Sequence, residues 1–153
     1  MKVMYQEKYI RSQDGLKIYL RDYNQYNLKN IPIICLPGMT RNSKDFHNFA
    51  KIFCKSRRII TIDMRGRGKS EYDKITKNYW KPGIYMSDIF SITNALNIHK
   101  GIYLGTSLGG LMAMQVALIR PSSVSGVILN DIGPDLPING VTTIHKNLRK
   151  SYN

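Results

Sequence analysis

The apolar positions of this chain fall into two alternating runs near the start and a series of solid runs after them. Residues 9–12 and 16–23 flank Asp14 and Gly15, and Leu16, Ile18 and Leu20 alternate with Lys17, Tyr19 and Arg21. A period of two around an Asp-Gly pair predicts an antiparallel hairpin with one polar face, at a sheet edge. Residues 31–36, 58–63 and 124–130, and the start of 101–109, are short and apolar without alternation. Such runs read as strands of a parallel sheet covered on both faces. Between them the period lengthens. Phe46, Phe49, Ala50 and Phe53 share one face of a helix over residues 43–54, with Ser43 as its N-cap. Ile89, Ile92 and Leu96 do the same over residues 85–97, with Asp88 favouring the N-terminal turn. After residue 107 a helix is apolar nearly all round (Leu108, Leu111, Met112, Met114, Val116, Ala117, Leu118) and stops at Pro121, which predicts a buried helix with its methionines in the core. Residues 71–84 are irregular, and Tyr72, Tyr79 and Trp80 there read equally as anchors of a surface loop or as a wall facing a substrate.

A hairpin followed by alternating strand and helix predicts an α/β fold: a mostly parallel sheet with an N-terminal antiparallel hairpin, flanking helices and right-handed crossovers. The 153 residues suit one domain with one core, spanning 9–134, and the last residues, 141–153, are weakly amphipathic and polar. Hydrophobic residues make up 42 % of the chain, enough to fold. The net charge of +13 admits a polyanionic partner, but the basic residues are scattered and carry no interleaved aromatic stripe. Neither nucleic acid nor a membrane is therefore expected as a partner. Cys35 and Cys54 make no disulfide framework, and no clustered His/Cys pattern points to a metal or cofactor. No stretch reaches the roughly 20 apolar residues of a membrane span, and the charged N-terminus is unlike a signal peptide; a soluble cytoplasmic protein is the expectation.

Two loops carry candidate chemistry. Residues 105–109 read G-T-S-L-G between a strand and a helix. So tight a reversal forces its central residue, Ser107, into strained backbone geometry, and Gly105 and Gly109 remove the side chains that would collide. The hydroxyl is then presented at a helix start, where free N–H groups can stabilise an oxyanion. Residues 63–70 read D-M-R-G-R-G-K-S, whose end is similar to a phosphate-binding loop. That motif needs glycine five places before Gly68, where Asp63 stands, so nucleotide binding is rejected.

Taken in order, these motifs resemble the N-terminal part of the α/β-hydrolase family. Residues 12–22 resemble its opening hairpin and 36–46 its oxyanion-hole turn, with Pro37 where many relatives have histidine. Residues 62–70 resemble its D-x-R-G-x-G-x-S loop, 105–110 its nucleophile elbow, and 130–134 a segment just before the lid. The resemblance implies an incomplete α/β-hydrolase fold in which 135–153 begin the lid or cap. It implies Ser107 as nucleophile toward a small acyl substrate such as an ester, and the backbone N–H groups of Met39 and Leu108 as the oxyanion hole.

The family's triad runs serine, acid, histidine, and its histidine lies beyond the segments matched here. His47 reads as a structural or surface residue and His99 falls at the wrong end of the sheet. His145 would reach Ser107 only by an atypical arrangement, whereas Asp131 is placed where some relatives carry their acid. The expectation is a serine hydrolase present as an N-terminal half that needs a second polypeptide for activity. The strand at 124–130 would then present an open edge for that polypeptide or for self-association. The alternative is a non-catalytic degenerate fragment that only binds a partner chain or a small acyl ligand.

Overall fold

A computed structural model describes residues 5–133. The elements follow the expected order: β1 (Tyr5–Arg11), β2 (Lys17–Tyr23), β3 (Ile33–Leu36), α1 (His47–Phe53), β4 (Ile59–Ile62), α2 (Pro82–Ala95), β5 (Gly101–Thr106), α3 (Leu108–Ile119) and β6 (Val124–Asn130). Among the described residues they build a six-stranded sheet in the order β1-β2-β4-β3-β5-β6. The first hairpin is antiparallel, β2 runs antiparallel to β4, and β4, β3, β5 and β6 are mutually parallel. The expected fold class is the observed one.

Solid apolar runs form the centre because successive residues point to opposite faces and both faces are covered. Ile34, Leu36, Ile60 and Ile62 meet Ile89 and Ile92 of α2 and Met112, Ala113 and Val116 of α3. Their neighbours Ile33, Cys35 and Ile59, with Leu104, meet Phe46 and Ala50 on the other face. Cys35 is wholly buried and burial pushes its thiol up, so it is an inert core residue.

Several local expectations are corrected. The first helical segment opens with a 3₁₀ turn at Ser43–Phe46 capped by Asn42, whose side chain accepts the Lys44 N–H, while Ser43 is buried behind it. The helix expected from residue 85 starts at Pro82, because proline at the first helical position lacks only an N–H that would go unpaired anyway. Asp88 is buried and ion-paired within α2, not placed at its N-terminus. Helix α3 is buried along one side only: Leu118 and Ile119 are exposed at its last turn. The apolar run of β6 predicts a buried strand, but β6 exposes Ile128; it pairs with β5 alone among the described residues. The stretch assigned to a lid, 135–153, lies outside the described residues.

Parallel strands carry their C-terminal ends to one edge of the sheet. The turns after β3, β4, β5 and β6 therefore meet there, which is where open α/β sheets bind ligands.

Candidate functional site

The turn between β5 and α3 is a single residue long. Ser107 has φ 50° and ψ −114°, a conformation costly for any residue with a Cβ. Three glycines make the reversal sterically feasible. A Cβ on Gly105 would strike the backbone of Gly109 and Gly110, and one on Gly109 would strike the carbonyls of Leu36 and Pro37. One on Gly110 would meet Ile132. The serine backbone is held on both sides: its carbonyl accepts from Gly110 N–H (2.8 Å) and Leu111 N–H (3.1 Å), and its N–H donates to the Asn130 carbonyl (3.3 Å). Its hydroxyl has no hydrogen-bond partner among the described residues, so the side chain is presented and uncommitted.

The turn after β3 lies against this elbow. A methyl group on Gly38 would sit 3.7 Å from the Thr106 carbonyl and 3.8 Å from Ser107 Cβ. Arg41 N–H closes the turn on the Gly38 carbonyl at 3.1 Å. The Met39 N–H donates to no acceptor among the described residues, and Leu108, as the first residue of α3, has no intrahelical acceptor for its own. Met39, Ser107 and Asp131 border one open cleft of about 930 Å³, with Phe46, Phe49 and Ile128 as an apolar wall. The cleft thus has a polar mouth and an apolar flank.

The loop over residues 63–70 binds protein groups. Asp63, buried, accepts Ser43 N–H and Lys69 N–H, both at 2.7 Å, and occupies the space that a Cβ on Gly68 would need. A carboxylate there repels phosphate, which agrees with rejecting a nucleotide site. Ser70 Oγ donates to the Asp63 carbonyl (2.6 Å) and accepts Tyr19 N–H (2.8 Å). Arg65, fully buried, reaches three carboxylates: Asp88 on α2, Asp14 in the hairpin turn and Asp73 in the loop before α2. Burial works against its charge, but the hydrogen bonds to Asp88 and Asp14 outweigh it and hold the guanidinium protonated above its usual range. The Arg65 hydrogen bond holds the Asp14 carboxyl below the usual range, whereas burial pushes that of Asp88 up. Reading the sequence missed this cluster. Residues 14, 73 and 88 share no local spacing with Arg65; the one available signal was an arginine at a solid strand's end.

The histidines and Asp131 are placed as follows. His47 Nδ1 lies 3.0 Å from the Tyr23 hydroxyl, and its ring packs edge-on to Tyr5, in the smaller core cluster. His99 is exposed just before β5, at the end of the strand opposite Ser107. His145 lies outside the described residues. Asp131 follows β6 with φ 55° and shares the Ser107 cleft. The fold thus brings Ser107, Met39, Leu108 and Asp131 to one edge, and no histidine among the described residues lines the cleft.

A family model described as the alpha/beta hydrolase fold matches residues 31–147. The chain is 37 % identical over 112 residues to a 3-hydroxybutyrate-oligomer hydrolase of Cupriavidus necator, covering 73 % of this chain and 38 % of that protein. It is 31 % identical over 118 residues to an sn-1-specific diacylglycerol lipase of Danio rerio, covering 76 % of this chain and 34 % of the relative. Among solved structures, an alpha/beta hydrolase from Novosphingobium aromaticivorans superposes with a TM-score of 0.88 at 34 % identity, covering 95 % of this chain and 50 % of that one. The chain therefore spans between about a third and a half of the length of these relatives. Among the described residues no helix is long and apolar enough to cross a membrane.

Proposed function

Because this chain belongs to the family of the alpha/beta hydrolase fold, we propose that it is the nucleophile-bearing part of a serine hydrolase acting on an ester or similar acyl substrate. The observation that carries the reading is Ser107: a serine in a strained one-residue turn, its hydroxyl and the neighbouring Met39 N–H without a partner among the described residues. Strain of this kind persists only where surrounding structure enforces it, and it clusters at functional sites. The relatives named for hydrolysing 3-hydroxybutyrate oligomers and diacylglycerol favour esters as the substrate class.

In the proposed reaction Ser107 Oγ attacks the acyl carbonyl carbon as its proton passes to a histidine imidazole. The carbonyl π bond becomes an oxyanion facing the N–H groups of Met39 and Leu108; each such donor lowers the barrier by about 3–4 kcal/mol. The oxyanion collapses, the carbon–oxygen bond to the leaving alcohol breaks, and the alcohol takes the proton from the imidazole. Water, deprotonated by the same base, attacks the acyl-serine; the acid departs and Ser107 regains its proton. Asp131 is the group proposed to orient the base, from its place in the same cleft. No histidine among the described residues lines that cleft, so the imidazole comes from outside them. We propose that a second polypeptide paired beyond β6 supplies it, with His145 of this chain as the rival source.

The test is p-nitrophenyl butyrate hydrolysis and fluorophosphonate labelling by the full chain, alone and co-expressed with any polypeptide encoded directly downstream. Esterase activity and Ser107 labelling that appear on co-expression and vanish in Ser107→Ala support the proposal. Strong labelling of the isolated chain sinks the two-polypeptide part. Absence of labelling in every combination favours a degenerate fragment that only binds.

A further inference from the structure

The glycine-rich loop over residues 63–70 has no assigned role in the chemistry just described, yet it touches the turn bearing Met39 at two points. Arg67 Nε donates to the Met39 carbonyl at 2.8 Å. Asp63 Oδ1 accepts Ser43 N–H at 2.7 Å, at the far end of the same turn. Within itself that turn has only the Arg41 N–H to Gly38 carbonyl bond at 3.1 Å. Its shape therefore depends on the loop beside it.

Arg67 is in turn rigidly held. Its Nη1 donates to the Arg65 carbonyl (2.8 Å) and to the Tyr85 hydroxyl (2.7 Å). The rings of Tyr79 and Tyr85 lie 5.7 and 5.6 Å from the guanidinium carbon. Arg65 and Tyr85 are both buried, so these contacts tie Arg67 to the core. A planar fork with donors fixed at Nε and Nη1 satisfies three acceptors at once; a lysine ammonium on a flexible stem cannot hold the same geometry. Gripping the Met39 carbonyl fixes the peptide plane that follows Met39, and hence the turn that aims the preceding N–H at the Ser107 cleft.

We propose that Arg67 is a positioning residue: it clamps the turn after β3 so that the Met39 N–H is preset toward the developing oxyanion. This rests on the serine-hydrolase reading for its catalytic consequence, while the clamp itself does not. A preset donor stabilises the transition state more than the bound substrate, so loosening it lowers kcat and spares KM.

The experiment compares wild type, Arg67→Met, Arg67→Lys and Tyr85→Phe in the full chain, alone and in whichever combination hydrolyses ester in the preceding test. Tyr85→Phe keeps the ring and drops one hydroxyl, so it serves if Arg67→Met does not fold. Amide hydrogen exchange of Arg41, whose N–H makes the turn's internal bond to the Gly38 carbonyl, is expected to quicken at least tenfold in Arg67→Met, with β5 and α3 unchanged. On p-nitrophenyl butyrate kcat should fall about tenfold with KM within twofold, and Arg67→Lys and Tyr85→Phe should fall between. Unchanged exchange and kcat in Arg67→Met and Tyr85→Phe overturn the proposal, as does a rate loss that only tracks the unfolded fraction. If wild type neither hydrolyses nor labels, the serine-hydrolase reading falls, and exchange of the Arg41 amide alone decides the clamp.

Discussion

At the scale of single residues, Ser107 holds a conformation that glycine adopts freely and serine does not. Strained backbone of this type costs on the order of 1–3 kcal/mol. Serine there is expected to trade stability for a presented hydroxyl. Ser107→Ala keeps the strain and loses the hydroxyl; Ser107→Gly loses both. Urea unfolding should therefore find Ser107→Gly more stable than Ser107→Ala by about 1 kcal/mol, somewhat offset by glycine's freer unfolded chain. Equal stabilities would mean that the turn is not strained. This position was legible beforehand because a strand, a tight turn and a helix in direct succession leave one residue to absorb the reversal. The roles of Arg65 and Arg67 were not legible, since a guanidinium's partners are set by which loops meet in space.

At the scale of elements, the junction of α3 with β3 decides whether the elbow forms. Gly109 lies so close to β3 that any Cβ would enter the carbonyls of Leu36 and Pro37, which are backbone and cannot swing aside. Gly109→Ala should cost about 2–3 kcal/mol by thermal or denaturant unfolding. Gly83→Ala, in the first turn of α2 where a methyl meets nothing within 4 Å, should instead add about 0.5–1 kcal/mol. The existence and type of every strand and long helix were readable from period and run length. Their ends were not. Pro82 and Asn42 moved helix starts by local capping chemistry, and Leu118 and Ile119 are exposed because no described element covers that end of α3.

At the scale of the whole molecule, Arg65 joins segments far apart in the chain: the hairpin turn through Asp14, the loop before α2 through Asp73, and α2 through Asp88. Arg65→Met would strand the Asp88 carboxylate, whose side chain is 3 % exposed, and should cost about 3–5 kcal/mol. The cluster also shapes the acid limb of stability. The Arg65 hydrogen bond lowers Asp14, and the Asn78 side chain, with the Ile75 N–H, lowers Asp73. A carboxyl lowered by folding contributes fully above its unfolded value of about 4 and loses that contribution as pH falls through its folded value. Asp88 runs the other way, since burial raises it. Denaturant unfolding between pH 5 and 3 should thus show a shallower loss in Asp14→Asn than in wild type; an equal slope would remove Asp14 from the acid limb.

The order of strands and helices, the mostly parallel sheet and the serine at the elbow followed from local pattern alone. Run length, period and glycine spacing are local quantities, and backbone sterics translate them directly into elements and turns. The joining of Met39, Ser107 and Asp131 in one cleft, the grip of Arg67 on the turn after β3 and the three-carboxylate nest of Arg65 were decided by the tertiary structure. Most of those contacts link residues tens of positions apart: the cleft and the grip of Arg67 form where parallel strands bring their C-terminal turns to the same edge of the sheet, and the Arg65 nest where the hairpin turn and α2 meet the loop after β4.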